Sequence, residues 1–238
     1  MFYGARPVPA QRNPVRIRFL ATLVAAVAVL ALPQAAAASH GCSKHASGGK
    51  VTYKTKESHV FEKHDHWYGC AARVGRPYLL PGLDTITAGR QFGDGTVPSH
   101  ITLAGVFVAY ERYTIYPAGG AGDTQTDLYV VDLRTGKVVV DEEAAVPSGQ
   151  QEDREVERIV LKRNGSVGWT SGRSLYDRPY PQSHRVVEVH RFSLAPGSQG
   201  RADLDSGEDV DPLSLALSAD RLTMTWRHGN EQRSAPLP

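Results

Sequence analysis

Hydrophobic residues after position 39 either alternate with polar ones or form short blocks bounded by turn residues. Two of these blocks, Ile101–Tyr110 and Leu128–Leu133, each have the composition of a buried strand. Arg134–Lys137 then makes a turn into Val138–Val140, which completes a hairpin. Because helical periodicity is almost absent, the pattern predicts an all-β domain.

More hairpins are predicted in the second half of the chain. Asn164 and Gly165 separate the strand segments Arg158–Lys162 and Ser166–Thr170. Both turn residues tolerate the positive φ angles of a type I′ turn, so we expect that turn here. Three short strands follow later, at Leu213–Leu217, Arg221–Trp226 and Arg233–Leu237.

Strands that end in an aromatic residue recur at a nearly constant spacing. Tyr110, Trp169 and Trp226 are separated by 59 and 57 positions. A second match, at a constant offset of 61, aligns Tyr68, Arg73, Gly75 and Arg76 with Tyr129, Arg134, Gly136 and Lys137. Such spacings indicate stacked sheet units, in which these aromatic residues pack one unit against the next. A platform for carbohydrate or peptide is the alternative role of the aromatic residues.

Three segments of this pattern carry a resemblance to a known architecture. Gly105–Tyr110, Asp127–Lys137 and Leu215–Trp226 resemble the β-propeller repeats, of the TolB and WD40 kinds, found in uncharacterised secreted bacterial proteins. The resemblance implies a propeller-like array of three to four antiparallel sheet units. Since each end of the domain lacks strands that the other has, we expect the N- and C-terminal strands to pair in one sheet. A β-sandwich is the alternative fold.

The first 38 residues have the organisation of a secretory signal peptide. Four arginines, Arg6, Arg12, Arg16 and Arg18, precede the apolar run Phe19–Leu32. The small residues Ala35–Ala38 then offer a cleavage site between Ala38 and Ser39. The apolar run is shorter than the roughly 20 residues of a membrane span, although an uncleaved anchor is the alternative. The sequence thus predicts a signal peptide, residues 1–38, and a single secreted or envelope-associated domain, residues 39–238.

Removal of the signal peptide changes the charge of the protein. The whole chain has a net charge of +2, whereas residues 39–238 have 23 basic and 25 acidic residues and a net charge of −2. A nearly neutral domain without a run of Lys and Arg gives no electrostatic reason to expect nucleic acid as a partner. Nor does it predict insertion of the mature chain into a membrane. The oligomeric state stays open.

The two cysteines of the chain, Cys42 and Cys70, allow one pairing. Exported proteins meet an oxidising environment, in which paired thiols form disulfides. We therefore expect a Cys42–Cys70 disulfide rather than two buried free thiols.

Two groups of residues are candidates for metal binding. His64 and His66 would project from the same face if they lay on one strand, as two ligands of a metal ion must. The acidic residues of 203–211 surround Gly207, as the oxygen ligands of a calcium loop surround a glycine. The match is incomplete, because Gly207 and Ser214 stand where that motif has an oxygen ligand and a glutamate. A solvated hairpin and a polar connection between strands are the alternatives, and we expect no cofactor.

The loop that begins at Tyr176 and contains Tyr180 has no counterpart in the repeat. Loops on a rigid scaffold frequently carry function, so these two tyrosines are the candidate binding residues. The sequence contains no complete nucleophile or phosphate-loop motif. We therefore expect a non-enzymatic extracellular domain that binds a protein or glycan. The alternative is a metal-dependent protein or hydrolase that uses the N-terminal histidines or the acidic residues of 203–211.

Overall fold

The structure is a computed structural model that describes residues 40–83, 100–116, 123–144, 152–176, 183–198 and 200–238. The predicted signal peptide and its Ala38–Ser39 cleavage site lie outside these residues. Within the described ranges, no helix has both the length and the apolar character needed to cross a membrane.

The described residues form one short helix and fifteen strands. In chain order they are α1 (His40–His45), β1 (Lys50–Lys54), β2 (Ser58–Lys63), β3 (His66–Ala71), β4 (Pro77–Leu79), β5 (Thr102–Ala104), β6 (Phe107–Tyr116), β7 (Asp123–Asp132), β8 (Lys137–Glu143), β9 (Glu152–Leu161), β10 (Val167–Tyr176), β11 (Ser183–Ser193), β12 (Gly200–Gly207), β13 (Val210–Leu217), β14 (Thr223–His228) and β15 (Glu231–Pro236). The all-β prediction is therefore confirmed.

The strands form four antiparallel sheets that follow one another along the chain. Sheet I contains β1–β4, sheet II β5–β8, sheet III β9–β12 and sheet IV β13–β15. A β-sandwich has two sheets, so that alternative is wrong. The expected pairing of N- and C-terminal strands is also wrong, because β1 pairs with β2 and β15 with β14 in different sheets. Sheet I already has a first strand, the polar and mostly exposed β1, which the hydrophobic pattern did not reveal.

Two turns differ from the sequence-based expectation. The segment Ile101–Tyr110 is two strands, because Gly105 has a φ of 62° and reverses the chain between β5 and β6. The hairpin at Asn164–Gly165 is confirmed, but of these two residues only Gly165 has a positive φ, 88°. The turn is therefore not type I′. Instead, the side-chain oxygen of Asn164 accepts a hydrogen bond from the amide of Ser166 at 3.0 Å.

Each sheet packs against the next one in chain order. Residues from sheets I and II form one core cluster, residues from sheets II and III a second, and residues from sheets III and IV a third. Sheet II contributes alternate residues of the same strand to two clusters: Tyr129 and Val131 pack with sheet I, whereas Leu128 and Val130 pack with sheet III. This alternation follows from the opposite directions of successive side chains in a strand.

Helix α1 packs on sheet I through a small separate cluster. Cys42 and Cys70 form the expected disulfide and lie there with Ala46 and Phe61. Phe61 neighbours Val60 in β2 and so points to the other face of sheet I from the one that contacts sheet II. The disulfide therefore fixes the helix to the face of sheet I opposite to the one that packs against sheet II.

Candidate functional site

A serine, a histidine and an aspartate form a hydrogen-bonded chain across three neighbouring strands of sheet III. Ser171 Oγ in β10 lies 3.0 Å from Nε2 of His190 in β11. Nδ1 of His190 lies 2.7 Å from Oδ1 of Asp203 in β12. The β-ladder produces this order, because His190 pairs with Asp203 on one side and lies diagonally across from Ser171 on the other.

The surrounding residues hold this chain in place. Trp169 stacks on the ring of His190, with 4.9 Å between ring centres, and donates a hydrogen bond from Nε1 to the carbonyl of Ala144 at 2.7 Å. Arg201 donates from Nε to Asp203 at 2.9 Å and from Nη1 to the carbonyl of Glu143 at 2.6 Å. Two backbone carbonyls at the end of sheet II therefore bind the residues that flank His190 and Asp203 in sheet III.

The hydrogen-bonded side chains of Ser171, His190 and Asp203 have the connectivity of a Ser-His-Asp triad, but the serine and the histidine are closed to substrate. Ser171 and His190 are both fully buried. Ser171 also lies inside the sheet, paired with Val156 on one side and Glu188 on the other. Its side chain lies on the same face of sheet III as Trp169, which packs against sheet II, so a substrate carbonyl would have to displace that sheet to reach Oγ.

Asp203 takes part in this network as a carboxylate. Burial by itself raises its pKa, but hydrogen bonds from Arg201 and His190 outweigh burial and hold the pKa of Asp203 below its usual value. The ionised group accepts hydrogen bonds from both neighbours. The buried side chains of Ser171 and His190 are therefore satisfied by hydrogen-bond partners, and Asp203, which is 52% exposed, ends the network at the surface.

A buried carboxylate, that of Asp205, joins sheet III to sheet IV. Its oxygens accept hydrogen bonds from Nε1 of Trp226 at 2.6 Å and from Nη1 of Arg233 at 2.7 Å. Nδ1 of His228 lies 3.0 Å from both oxygens. Burial raises the pKa of Asp205, but the hydrogen bonds from Trp226 and His228 and the charge of Arg233 outweigh it and hold the pKa below its usual range.

The other acidic residues of 203–211 also face protein partners. Asp209 lies 2.7 Å from Nε2 of His228, Glu208 lies 3.3 Å from His184, and Asp211 pairs with Arg227. Asp203 and Asp205 are strand residues of β12 rather than loop residues. Across the described ranges, no three His, Cys, Asp or Glu side chains are grouped as a metal site requires.

Replacing Asp205 by asparagine is expected to lower the free energy of unfolding by about 1–2 kcal/mol at pH 7, because buried donors lose a charged acceptor. Because the pKa of Asp205 is lower in the folded state, its ionised form stabilises the fold at any pH above the unfolded carboxyl pKa of about 3.9. This contribution to stability is lost as the pH falls through the lower pKa of the folded state. The difference between wild type and Asp205→Asn should therefore shrink below about pH 4.

Urea unfolding at neutral and acid pH measures this difference. Glu231→Gln is the matched control, because Glu231 also contacts Arg233 but is 75% exposed. We expect it to change stability by less than about 0.5 kcal/mol. Equal losses in the two variants at neutral pH would contradict the role given to Asp205.

The histidines near the N-terminus lie at separate places in sheet I and α1. His64 is exposed and occupies the β2–β3 turn with a φ of 52°, whereas His66 is the first residue of β3. The two residues therefore do not share a strand, which was the basis for pairing them as ligands. His59 is buried in β2, where burial and the neighbouring Lys54 lower its pKa.

The candidate binding residues Tyr176 and Tyr180 fall at the edge of the described structure. Tyr176 is the last residue of β10, at the opposite end of that strand from Val167. Tyr180 lies outside the described residues. Their role in binding stays a prediction.

A basic surface lies at the other end of the strands, in turns that the structure describes. We define the basic turn surface as the turns 55–57, 72–76, 105–106, 133–136, 162–166 and 218–222. These turns carry seven basic residues, Lys56, Arg73, Arg76, Arg134, Lys162, Arg163 and Arg221, and two acidic residues, Glu57 and Asp220. The described turns at the opposite end, 64–65, 208–209 and 229–230, carry Asp65, Glu208 and Asp209 and no Lys or Arg. Among the described turns, positive charge is therefore concentrated at one end of the strands.

Contacts between neighbouring turns join this surface across sheets I, II and III. The guanidinium of Arg76 lies 5.2 Å from the ring centre of Tyr78, whose hydroxyl donates to the carbonyl of Arg134 at 3.1 Å. Arg134 in turn lies over the ring of Phe107 at 5.5 Å. From sheet III, Arg163 pairs with Glu57 of sheet I at 2.5 Å.

Sheet IV joins the same surface through its last residues. Lys162 donates to the carbonyl of Leu237, and Asn164 Nδ2 donates to the carbonyl of Pro238 at 3.1 Å. The amide of Leu237 donates to the carbonyl of Leu222 in the β13–β14 turn at 2.9 Å. Turns from all four sheets therefore form one connected surface.

Sequence reasoning missed this surface because its cations are far apart in the chain. The longest run of basic residues among these turns is Lys162–Arg163. A signal was nevertheless present: the match at offset 61 aligns Arg73, Gly75 and Arg76 with Arg134, Gly136 and Lys137. Both glycines have positive φ, 70° and 73°, and close equivalent turns of sheets I and II.

Comparison with known proteins gives no relationship. No family model matches the chain. No curated protein sequence matches it either.

Proposed function

We propose that the chain is an exported, non-enzymatic domain that binds a protein or glycan. The observation that carries this proposal is the contrast between interior and surface. The side chains that resemble catalytic groups, Ser171, His190 and Asp203, are bonded to one another, and the first two are fully buried. The cationic turns, by contrast, are exposed on a scaffold of paired strands, where a partner can reach them.

The Cys42–Cys70 disulfide supports export. Disulfides persist in oxidising compartments, and this one agrees with the signal peptide predicted for residues 1–38. The secreted or envelope-associated location is part of the proposal.

We further propose that the four sheets are units of a propeller-like array. Three observations support it: the sheets follow one another in the chain, they have antiparallel neighbours throughout, and each core cluster joins consecutive sheets. The recurring aromatic residues Tyr110, Trp169 and Trp226 occupy the second strands of sheets II, III and IV. All three are buried, which favours a packing role over a binding platform.

Binding through the predicted loop can be tested with protein recovered after export. The wild type is expected to be retained on an immobilised cell-envelope fraction, and Tyr176→Ala combined with Tyr180→Ala is expected to reduce retention at least about fivefold, as aromatic anchors of an interface do. Leu213→Ala is the matched control, because Leu213 is 64% exposed on β13. No retention of the wild type would overturn binding through this loop.

The alternative, a metal-dependent protein or hydrolase, predicts different outcomes. Stoichiometric metal in the recovered protein, lost in His64→Ala combined with His66→Ala, would support that alternative. Labelling of Ser171 by a serine-reactive fluorophosphonate would do the same, since it requires an accessible and activated hydroxyl. The proposed function predicts neither result.

A further inference from the structure

We propose that the basic turn surface binds a linear, acidic glycan, whose carboxylate or sulfate groups lie along the row of cations. This inference rests on the proposed export of the domain, which determines the polymers that it meets. It concerns a surface at the opposite end of the strands from the loop that contains Tyr176.

The first argument is uncompensated charge. Arg134 is paired with Asp132, and Arg163 with Glu57. In the described part of the chain, no acidic group contacts Lys56, Arg73 or Arg221, and all three are exposed. Charges held on one face attract a polyanion, and arginine in particular binds carboxylate and sulfate through two parallel hydrogen bonds.

The second argument is the shape of the surface. Consecutive sheets pack in the order I, II, III and IV, and each contributes at least one turn. The turns therefore follow one another in a row from sheet I to sheet IV, and the Arg163–Glu57 ion pair and the bonds from Lys162 and Asn164 to the last residues keep this row compact. Cations close together on one surface match a chain with a charge on each repeating unit, because several units can bind at once.

The third argument is rigidity. The turn of sheet I is closed by a hydrogen bond from the amide of Gly75 to the carbonyl of Ala71 at 2.9 Å, and the turn of sheet II by the equivalent bond from Gly136 to Asp132 at 2.8 Å. Tyr78 connects the two turns through the carbonyl of Arg134. The backbone of these turns is therefore fixed before binding, so it loses less conformational freedom when the polymer binds.

The aromatic residues of this surface do not favour nucleic acid. Single strands bind through base stacking on open aromatic faces. Here one face of Tyr78 carries Arg76 and its ring packs against Gly136, whereas Phe107 is only 5% exposed. In the described turns, the ring faces that a base would need are therefore already in use.

A bilayer is a poorer fit than a glycan. Exposed apolar residues that could enter the interface are Val74, 46% exposed in sheet I, and Leu222, 60% exposed in sheet IV. These residues lie at the two ends of the row, and the turns of sheets II and III between them carry no large hydrophobic residue among the exposed ones described. Stable membrane binding requires a continuous apolar face or a second anchor.

Heparin, a linear glycan with sulfate and carboxylate groups, is the probe for this inference. Its affinity for the exported protein is measured by titration over a series of NaCl concentrations. The test variant combines Arg73→Gln with Arg221→Gln, two exposed residues from the outer sheets of the row. We expect it to bind heparin at least about tenfold more weakly and to show a smaller salt dependence, because fewer counterions are released.

The matched control combines Lys44→Gln with Lys50→Gln, which removes the same charge from exposed residues of α1 and β1. We expect its affinity for heparin to change less than about twofold. Equal weakening in both variants would overturn the inference, since net charge alone would then explain binding. So would tighter binding to a single-stranded oligonucleotide or to phosphatidylglycerol vesicles than to heparin.

The outcomes separate this inference from the proposed function. If heparin does not bind while envelope retention still depends on Tyr176 and Tyr180, the glycan inference fails and the binding function stands. If heparin binds through Arg73 and Arg221 but the envelope fraction does not retain the protein, the proposal for the tyrosine loop fails. Polygalacturonate, which carries carboxylates without sulfates, distinguishes the two anionic groups.

Discussion

Trp169→Ala is expected to lower the free energy of unfolding by about 3–5 kcal/mol, the range for removal of a buried tryptophan. Trp169 is fully buried in the cluster between sheets II and III. Its loss would leave a cavity between the two central sheets, remove the stack on His190, and leave the carbonyl of Ala144 without its donor. Urea unfolding followed by circular dichroism measures the change.

Two further variants separate the causes of this loss. Trp169→Phe keeps most of the buried area but not the indole N–H, so we expect a smaller loss of about 1–3 kcal/mol. Leu222→Ala is the surface control, because Leu222 is 60% exposed and its truncation should cost less than about 0.5 kcal/mol. If Trp169→Ala were no more harmful than Leu222→Ala, the central position of Trp169 in the core would be refuted.

The second large effect is expected from the disulfide. Cys42→Ser combined with Cys70→Ser should lower the free energy of unfolding by about 3–4 kcal/mol, the loop entropy for a cross-link of 28 residues. Both positions are fully buried, so the serine hydroxyls add a cost of desolvation. Thermal and urea unfolding of the oxidised wild type and the double variant measure the difference.

Reduction of the wild type supplies the internal control for this variant. A reducing agent should lower the stability of the wild type towards that of the double serine variant and should leave the variant itself unchanged. If the reductant had no effect on the unfolding of the wild type, the disulfide would not contribute to stability.

The strands could be predicted from the sequence where burial imposes a pattern. β7, whose alternate residues enter the clusters on the two sides of sheet II, was recognised from its apolar run. β1 was missed because Lys50 and Thr52 are exposed and Tyr53 is only half-buried, so the strand has no hydrophobic signature. The break at Gly105 was missed because the residues on both sides are apolar, and only the backbone angle shows that the chain reverses there.

The polar networks could not be predicted because they depend on strand register. Ser171, His190 and Asp203 have no sequence motif in common, and a shift of one residue in either pairing would turn their side chains to opposite faces. The register itself contains an irregularity between Val189 and His190, which brings Asp203 rather than Leu204 opposite His190. Turns from different sheets meet only after the sheets pack, so the cationic surface has no local signature either.

Packing of each sheet on its immediate neighbours makes the separate interfaces energetically independent. The cluster between sheets I and II shares no buried residue with the cluster between sheets III and IV. Substitutions at Tyr110 and at Met224 should therefore have additive effects on stability, whereas substitutions on opposite sides of one interface should be coupled. A sequence built this way can change one interface at a time while the remaining sheets keep their structure.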